Sequence, residues 1–507
     1  MKLERELEKW FGYPSFRPGQ EEIIQAVMEE KDVLAVLPTG MGKSICYQLP
    51  ALLKKGITII VSPLLSLMED QVQQLRSEGI KNVIAINSFM SLGEREEVLR
   101  SLSDYKLIYI SPEMLQSEYI QRKLKALYIS LFVVDEAHCI SQWGHEFRSD
   151  YLRLEAARKQ VGNPPCLAIT ATATPHVRKD ICSYLGMTEY ESFIHSVNRP
   201  NIAITVESFL GIDDKMQRLF ALVESLEGPG MVYFSSRAWT EATARKLQER
   251  GMKGVNFYHG GMTNEDRLLI QQQFMHGELN VICCTSAFGM GINKNNIRFV
   301  IHFHYPTQME SYVQEVGRAG RDGEKSIAIV LFSEDDRGLA RLLSQREQLS
   351  EEQIRELLML LTKETHISTG LEAKLCAHVG CSEVAWNNVI VSLEEIGVVN
   401  EGEIRRFSID SVADMLTKKF SRYHRTKQKQ LTTFESWLHS RACRRAGLVH
   451  YFEEHTFQKQ LDCCDRCGVT FERYCTQEKQ KDRKPDSNDL KLNWKIELQQ
   501  RLFGESR

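Results

Sequence analysis

DVLAVLPTGMGKSICYQLPALL, residues Asp32–Leu53, runs from an apolar strand through a glycine-rich turn into a segment with helical spacing. Strand, turn and helix in that order make a cradle for phosphate. Gly40 and Gly42 lack Cβ, so backbone N–H groups from Thr39, Met41 and their neighbours can close on phosphate oxygens. The helix N-terminus adds the positive end of its dipole. Lys43 would neutralise the β- and γ-phosphates, and Ser44 would ligate Mg²⁺. The full eight-residue pattern asks for glycine five positions before Gly42, and Leu37 stands there. A strand–helix turn carrying a chance GKS is the bland alternative.

The same grammar repeats outward from this stretch. ITIIVSP (Ile57–Pro63), KLIYISP (Lys106–Pro112), SLFVVDE (Ser130–Glu136) and PCLAIT (Pro165–Thr170) read as fully buried strands separated by helical patterns. A second series follows in GMVYFSS (Gly230–Ser236), GVNFYHG (Gly254–Gly260), NVICCTS (Asn280–Ser286), RFVIHFH (Arg298–His304) and SIAIVLF (Ser326–Phe332). Such alternation predicts an α/β chain with two parallel-sheet domains in tandem, joined near Arg199–Glu207. Strand patterns stop after about Glu334. The domains expected are 1–205, 206–340, a helical insertion at 345–412, a cysteine-bearing unit at 413–475 and a charged, partly disordered tail at 476–507.

Bulk properties narrow the class. The 507 residues carry a formal net charge of −3, so any grip on an acidic polymer must come from local patches. The first ten residues, MKLERELEKW, hold no apolar core of a signal peptide, and no run of 18 apolar residues occurs. A reducing, cytoplasmic setting and no membrane contact are expected. Most of the 13 cysteines sit in apolar runs and read as small buried hydrophobes.

Two further motifs complete a reaction site. VVDEAH (Val133–His138) ends an apolar strand; Asp135 can hold Mg²⁺ through its water shell, and Glu136 can orient or deprotonate an attacking water. A plain strand-end pair of carboxylates is the alternative. QEVGRAGRDG (Gln314–Gly323) presents Arg318 and Arg321 one helical turn apart. A planar, always-charged guanidinium suits the charge on a transferring phosphoryl group; a solvated basic face is the alternative. With these arginines on one domain and Lys43 on the other, ATP would lie in a cleft whose closure is a two-state hinge.

Together these segments resemble superfamily-two helicases, and most closely the RecQ family of DNA helicases, over Leu7–Ser333 and again near Cys443–Cys467. The shortened phosphate motif suits such motors. The resemblance implies two RecA-like lobes and an ATP-dependent helicase moving 3′ to 5′ on single-stranded DNA and opening duplex DNA, in repair and recombination. FGYPSFRPGQ (Phe11–Gln20) is similar to the family's adenine motif, with Gln20 on the base edge and Tyr13 and Arg17 flanking the ring. SPLLSLMEDQ (Ser62–Gln71), SPE (Ser111–Glu113) and TATAT (Thr170–Thr174) match first-lobe motifs that contact the strand or couple hydrolysis to movement. YFSSR (Tyr233–Arg237), YHGGM (Tyr258–Met262) and TSAFGMGINK (Thr285–Lys294) match in the second lobe, and Gly289 carries over as a nucleotide contact. SQWGHEFRSDY (Ser141–Tyr151) resembles the aromatic-rich loop of the family, which makes Trp143, His145, Phe147 and Arg148 candidate nucleic-acid contacts. A locally buried aromatic cluster is the alternative there.

ACRRAGLVHYF and LDCCDRC resemble the family's zinc domain and offer Cys443, Cys463, Cys464 and Cys467 as a tetrahedral thiolate site for structural Zn²⁺. Cys463 adjoins Cys464, where the family usually leaves two or three residues between ligands, so Cys475 and His450 stand in reserve. Within the insertion, three helical segments and the turn VVNEGEIRRFSI suggest a winged-helix-like unit. Glu383, Glu394 and Glu395 on its third helix would repel phosphate, which favours a structural or protein-partner role. KKFSRYHRTKQKQ (Lys418–Gln430) is basic with two aromatics and could line a DNA track. The 40 residues after Cys467 fall short of the terminal winged-helix and accessory domains of longer members, which suggests a short form. LKLNWKIELQQRLF (Leu490–Phe503) could dock or bind a protein partner. A monomer is expected. An RNA helicase of the same superfamily, or an annealing scaffold with a regulatory ATP site, are the competing readings.

Overall fold

The computed structural model describes residues 3–476 except 64, 88–89, 142–147, 290–291, 293, 346–348, 369, 401 and 454–460. Trp143, His145 and Phe147 therefore lie outside the described residues, as do the expectations for the tail after Thr476. The first lobe is one all-parallel sheet of seven strands. These are β1 (Asp32–Val36), β2 (Ile57–Val61), β3 (Val83–Ile86), β4 (Leu107–Ile110), β5 (Ile129–Asp135), β6 (Cys166–Thr170) and β7 (Tyr190–Ile194). They lie in the order β3-β4-β2-β5-β6-β1-β7. The second lobe repeats the plan with β8 (Ile202–Phe209), β9 (Gly230–Tyr233), β10 (Val255–Tyr258), β11 (Val281–Cys284), β12 (Phe299–His302) and β13 (Ser326–Ser333), ordered β10-β11-β9-β12-β13-β8. The central strands read as continuous apolar runs because helices cover both faces of each sheet. Separate apolar clusters fill the two sides of each sheet.

Three strands escape the sequence pattern. VIAI of β3 is short, and YESFI of β7 alternates exposed and half-buried residues at a sheet edge, so neither shows a long apolar run. The third, β8, corrects the expected boundary at 205/206, which falls inside it. Its residues pair with β13 from Ile202↔Ser326 to Phe209↔Ser333, so the lobes join just before Ile202.

The insertion has the expected order of three helices, Glu351–Leu361, Leu371–Val379 and Glu383–Glu395, then a hairpin of β14 (Val399–Asn400) and β15 (Glu403–Ile404). Ser350 and Ser382 cap the first and third helices through side-chain oxygens. The boundary expected at 412/413 is also corrected, because one 31-residue helix, Ile409–His439, runs straight through it. Val412, Ala413 and Leu416 fill the core of the insertion, while Leu431, Phe434, Trp437 and Leu438 join the core of the second lobe. Two of the three acidic residues of the third insertion helix pair with protein, Glu394 with Arg153 of the first lobe and Glu395 with Lys419 of the long helix, while Glu383 is exposed. No helix among the described residues is long and apolar enough to cross a membrane.

Candidate functional site

A cleft of about 290 Å³ lies between the lobes. Its walls come from both. Tyr13, Arg17, Gln20, Thr39, Gly40, Gly42, Lys43, Ser44, Asp135 and Glu136 face Arg318 and Arg321 across it. The phosphate turn leaves β1 and enters the helix Ile45–Leu53, and the Asp135–Glu136 pair stands at the end of β5, two strands away in the same sheet.

Glycine is required at two points of this seam. Gly40 has φ +89°, and a Cβ there would stand 3.1 Å from Cγ of Arg321. Gly289 has φ +136°, and a Cβ there would press to 2.5 Å from Cζ of Arg318. Gly40 thus makes room for the stem of Arg321, and Gly289 for the guanidinium of Arg318. Arg318 donates to the Gly289 carbonyl, and Arg321 Nη1 donates to the Ile292 carbonyl at 2.5 Å. The buried Nε–H of each has no acceptor among the described residues, which fits an anionic ligand between them. Enclosure, together with the neighbouring charges of Arg318 and Arg199, pulls the Arg321 pKa down to about 9.

The carboxylates are held tightly. Glu136 takes a left-handed backbone with φ +46°, a strained conformation for a residue with a side chain, and such strain gathers at working sites. Its Oε1 lies 3.1 Å from Lys43 Nζ, and its Oε2 lies 3.4 Å from His138 Nδ1. The same His138 nitrogen is 2.8 Å from Thr170 Oγ1, which ties the DEAH turn to the TATAT turn. Burial, and then the charge of Glu136, raise the Asp135 pKa to about 6. A divalent cation there would offset both causes, so the residue suits Mg²⁺. Tyr151 Oη donates to the Asp135 carbonyl at 3.0 Å.

Gln20 is already engaged. Its Oε1 accepts from the Arg17 backbone N–H, and its Nε2 donates to the Met41 and Gly42 carbonyls, each at 2.9 Å. The amide is thereby tied to the phosphate turn, and Tyr13, almost half exposed, also lines the cleft. Arg148, at the end of the aromatic-rich segment, reaches Glu113 of SPE at 3.5 Å.

The lobes touch directly. Thr39 Oγ1 donates to the Gly317 carbonyl at 2.8 Å, and Gln271 Nε2 donates to Asp70 Oδ2 at 3.0 Å. Burial raises the Asp70 pKa to about 6. A carboxyl raised in the folded state contributes stability below its unfolded pKa, and that contribution is gone once pH has risen through the folded value. Asp70→Asn is therefore expected to melt higher than wild type at pH 8, with the gap narrowing toward pH 5. A gap that widens on acidification would contradict this account of the contact.

Cys443, Cys463, Cys464 and Cys467 converge, with all four sulfurs within 4.8 Å of one another. The Cys443–Cys463 and Cys443–Cys464 separations are 3.7 and 3.8 Å. A tetrahedron of thiolates around zinc has an edge of about 3.8 Å, so the set fits. Asp462, immediately before the adjacent Cys463 and Cys464, takes a left-handed φ of +55°. Against the effect of burial, backbone N–H groups of Arg444 and Arg466 hold the Cys464 thiol below its ordinary pKa. The reserve ligands stand apart from the four: neither Cys475 nor His450 is in the cluster.

Sequence reasoning missed Arg199. Its guanidinium bridges backbone carbonyls of both lobes, Thr39 on one side and Gly317, Ala319 and Gly320 on the other.

Comparison with known proteins places these features. The DEAD/DEAH box helicase model matches residues 17–181, the helicase conserved C-terminal domain model 214–323, and the RecQ zinc-binding model 404–468. The probable ATP-dependent DNA helicase RecS of Bacillus subtilis is 42% identical over 475 residues, 93% of each chain. ATP-dependent DNA helicase RecQ of the same organism is 42% identical over 364 residues, 70% of this chain and 60% of that one. Among solved structures, the DUF1998 helicase MrfA bound to DNA has a TM-score of 0.57 at 19% identity, covering 82% of this chain and 63% of that chain. The DEAD-box helicase Mss116 bound to single-stranded RNA and UDP-BeF also has a TM-score of 0.57, at 14% identity, with 89% of each chain covered. These two likenesses concern the fold alone.

Proposed function

The chain belongs to the RecQ family of ATP-dependent DNA helicases, and from that membership and the seam geometry we propose that it hydrolyses ATP between its lobes to move 3′ to 5′ along single-stranded DNA and part the duplex ahead. One observation carries the reading: the cradle of Lys43 and the arginine pair, residues from different lobes, line a single cleft. ATP bound there would meet Lys43 and Ser44 at its phosphates, Tyr13, Arg17 and Gln20 at its base, and Arg318 and Arg321 at the transferring group. Mg²⁺ would be held by Ser44 and, through water, Asp135. Zn²⁺ in the four-thiolate site would supply structure and leave no position open for substrate.

A second cleft supports the nucleic-acid part. Ser235, Thr285, Ser286, Thr307 and Ser311 line it together with Lys427 and Gln430 of the long helix. Hydroxyls and a lysine along one wall suit a phosphate backbone without reading its sequence. Gln314 and Arg318 border both clefts, so a strand in one lies a single side chain away from nucleotide in the other. The pairing of Glu394 and Glu395 to protein supports a structural role for the insertion.

ATP hydrolysis and strand separation on duplexes with a 3′ tail, a 5′ tail or no tail test the reading. DNA-stimulated hydrolysis with unwinding confined to the 3′-tailed substrate is expected. Equal unwinding by Lys43→Ala, or a requirement for an RNA tail, would overturn it.

A further inference from the structure

The join between the lobes reads NRPN, Asn198–Asn201, and its polar side chains all point at machinery. Arg199 Nη1 donates to the Thr39 carbonyl at 2.9 Å and to Gly317 at 3.1 Å; Nη2 donates to Ala319 at 3.1 Å and Gly320 at 2.6 Å. Thr39 opens the phosphate turn, and Gly317–Gly320 enclose Arg318. Asn201 Nδ2 braces the same loop through the Gly320 and Glu324 carbonyls at 2.8 and 2.9 Å.

The join is itself held from the cysteine cluster. Arg445 is buried to 2% exposure. Its Nη1 donates to Asn198 Oδ1 at 2.7 Å and the Arg199 carbonyl at 2.8 Å; its Nη2 donates to Ile202 at 2.5 Å and to the carbonyl of Cys463, a candidate metal ligand, at 3.3 Å. Asp465, between Cys464 and Cys467, donates its backbone N–H to the Ile204 carbonyl at 3.0 Å. One guanidinium thus fastens the cysteine knuckle to the join, and the next fastens the join to both halves of the seam.

We propose that Arg199 is a positioning residue that sets the arginine loop against the phosphate turn, and that the cysteine-cluster unit fixes Arg199 through Arg445. The proposal rests on the reading of the seam as an ATPase. A planar fork with five donors can span four carbonyls on two lobes, whereas an ammonium concentrates its donors at one point and cannot. The carbonyl acceptors also explain the direction of effect. Arg199 touches no reacting group, so its loss leaves the cradle and the arginine pair present but out of register.

The test uses the full chain with Mg²⁺, ATP and single-stranded DNA. Arg199→Lys is expected to lower kcat by about 10–100-fold, the scale of a displacement near 1 Å, while affinity for a fluorescent ADP analogue moves less than about threefold. Arg445→Lys is expected to lower kcat less, with bound zinc retained, and the double variant to be no slower than Arg199→Lys alone, because one residue acts through the other. Asn198→Ala, which removes a single acceptor of Arg445, replaces Arg445→Lys in the cycle should that variant lose zinc or stability. An Arg199→Lys kcat within about twofold of wild type sinks the positioning role, and additive losses in the double variant sink the relay. A wild-type chain that hydrolyses no ATP would instead remove the functional reading on which both stand.

Discussion

Arg321→Ala should bind ATP and barely turn it over, with kcat reduced by about 10³-fold or more, the scale of a lost arginine finger. The side chain enters the cleft past Gly40, whose missing Cβ leaves the room, and it carries a buried Nε–H with no acceptor among the described residues. Burial, and then the charges of Arg318 and Arg199, lower its pKa, and the nearby charge of Glu136 offsets this only in part. A nucleotide phosphate in the cleft would supply further negative charge, most strongly when that charge spreads over the transferring group. Lys43 and the Gln20-braced turn remain, so binding of a fluorescent analogue should stay within about threefold of wild type, as expected when a lost interaction belongs to the transition state. Single-turnover hydrolysis separates the two quantities. A kcat within tenfold of wild type would show that Arg321 adds little to the chemistry.

Removing the metal should be the second largest effect. If the four-cysteine site holds zinc, Cys464→Ser is expected to bind far less than one equivalent of it and to be poorly folded and inactive in hydrolysis, because structural zinc contributes on the order of 10 kcal/mol or more to the fold that holds it. The reason lies in shared packing. Cys463 and Cys464 sit in the same core as Trp437, Leu448 and the strands of the second lobe, and among the described residues no separate apolar core supports the knuckle. Arg444, buried beside them, holds Asp465 and the Trp437 and Leu438 carbonyls. Metal content and thermal melting measure the outcome, and a zinc-free variant that melts with wild type would refute the assignment.

Much of this was legible in the sequence because the chemistry needs side chains of fixed type at fixed spacing. The phosphate turn, the DEAH pair, the GRAGR arginines and the four cysteines are of that kind, and the structure brings each set together. What escaped notice depends on backbone. The acceptors of Arg199 are carbonyls, which every residue carries, so no pattern marks them. Gln20 binds the turn through two more carbonyls. The helix Ile409–His439 keeps one period throughout while its partners change from the insertion to the second lobe, so periodicity alone could not place a domain boundary inside it. Edge strand β7 lacks an apolar run because three of its five residues face solvent.

That long helix has a mechanical consequence. Thirty-one residues at the α-helical rise make a spar about 46 Å long. One end is cemented into the second lobe; the other carries the insertion, which rests on the first lobe at the partly exposed Arg153–Glu394 contact. A swing of about 10° at the cemented end sweeps the free end through about 8 Å, far beyond the span of an ion pair. A stroke of the lobes that turned the helix by that much would lift this outrigger off its rest, at a contact weak enough, about 1 kcal/mol or less, to yield.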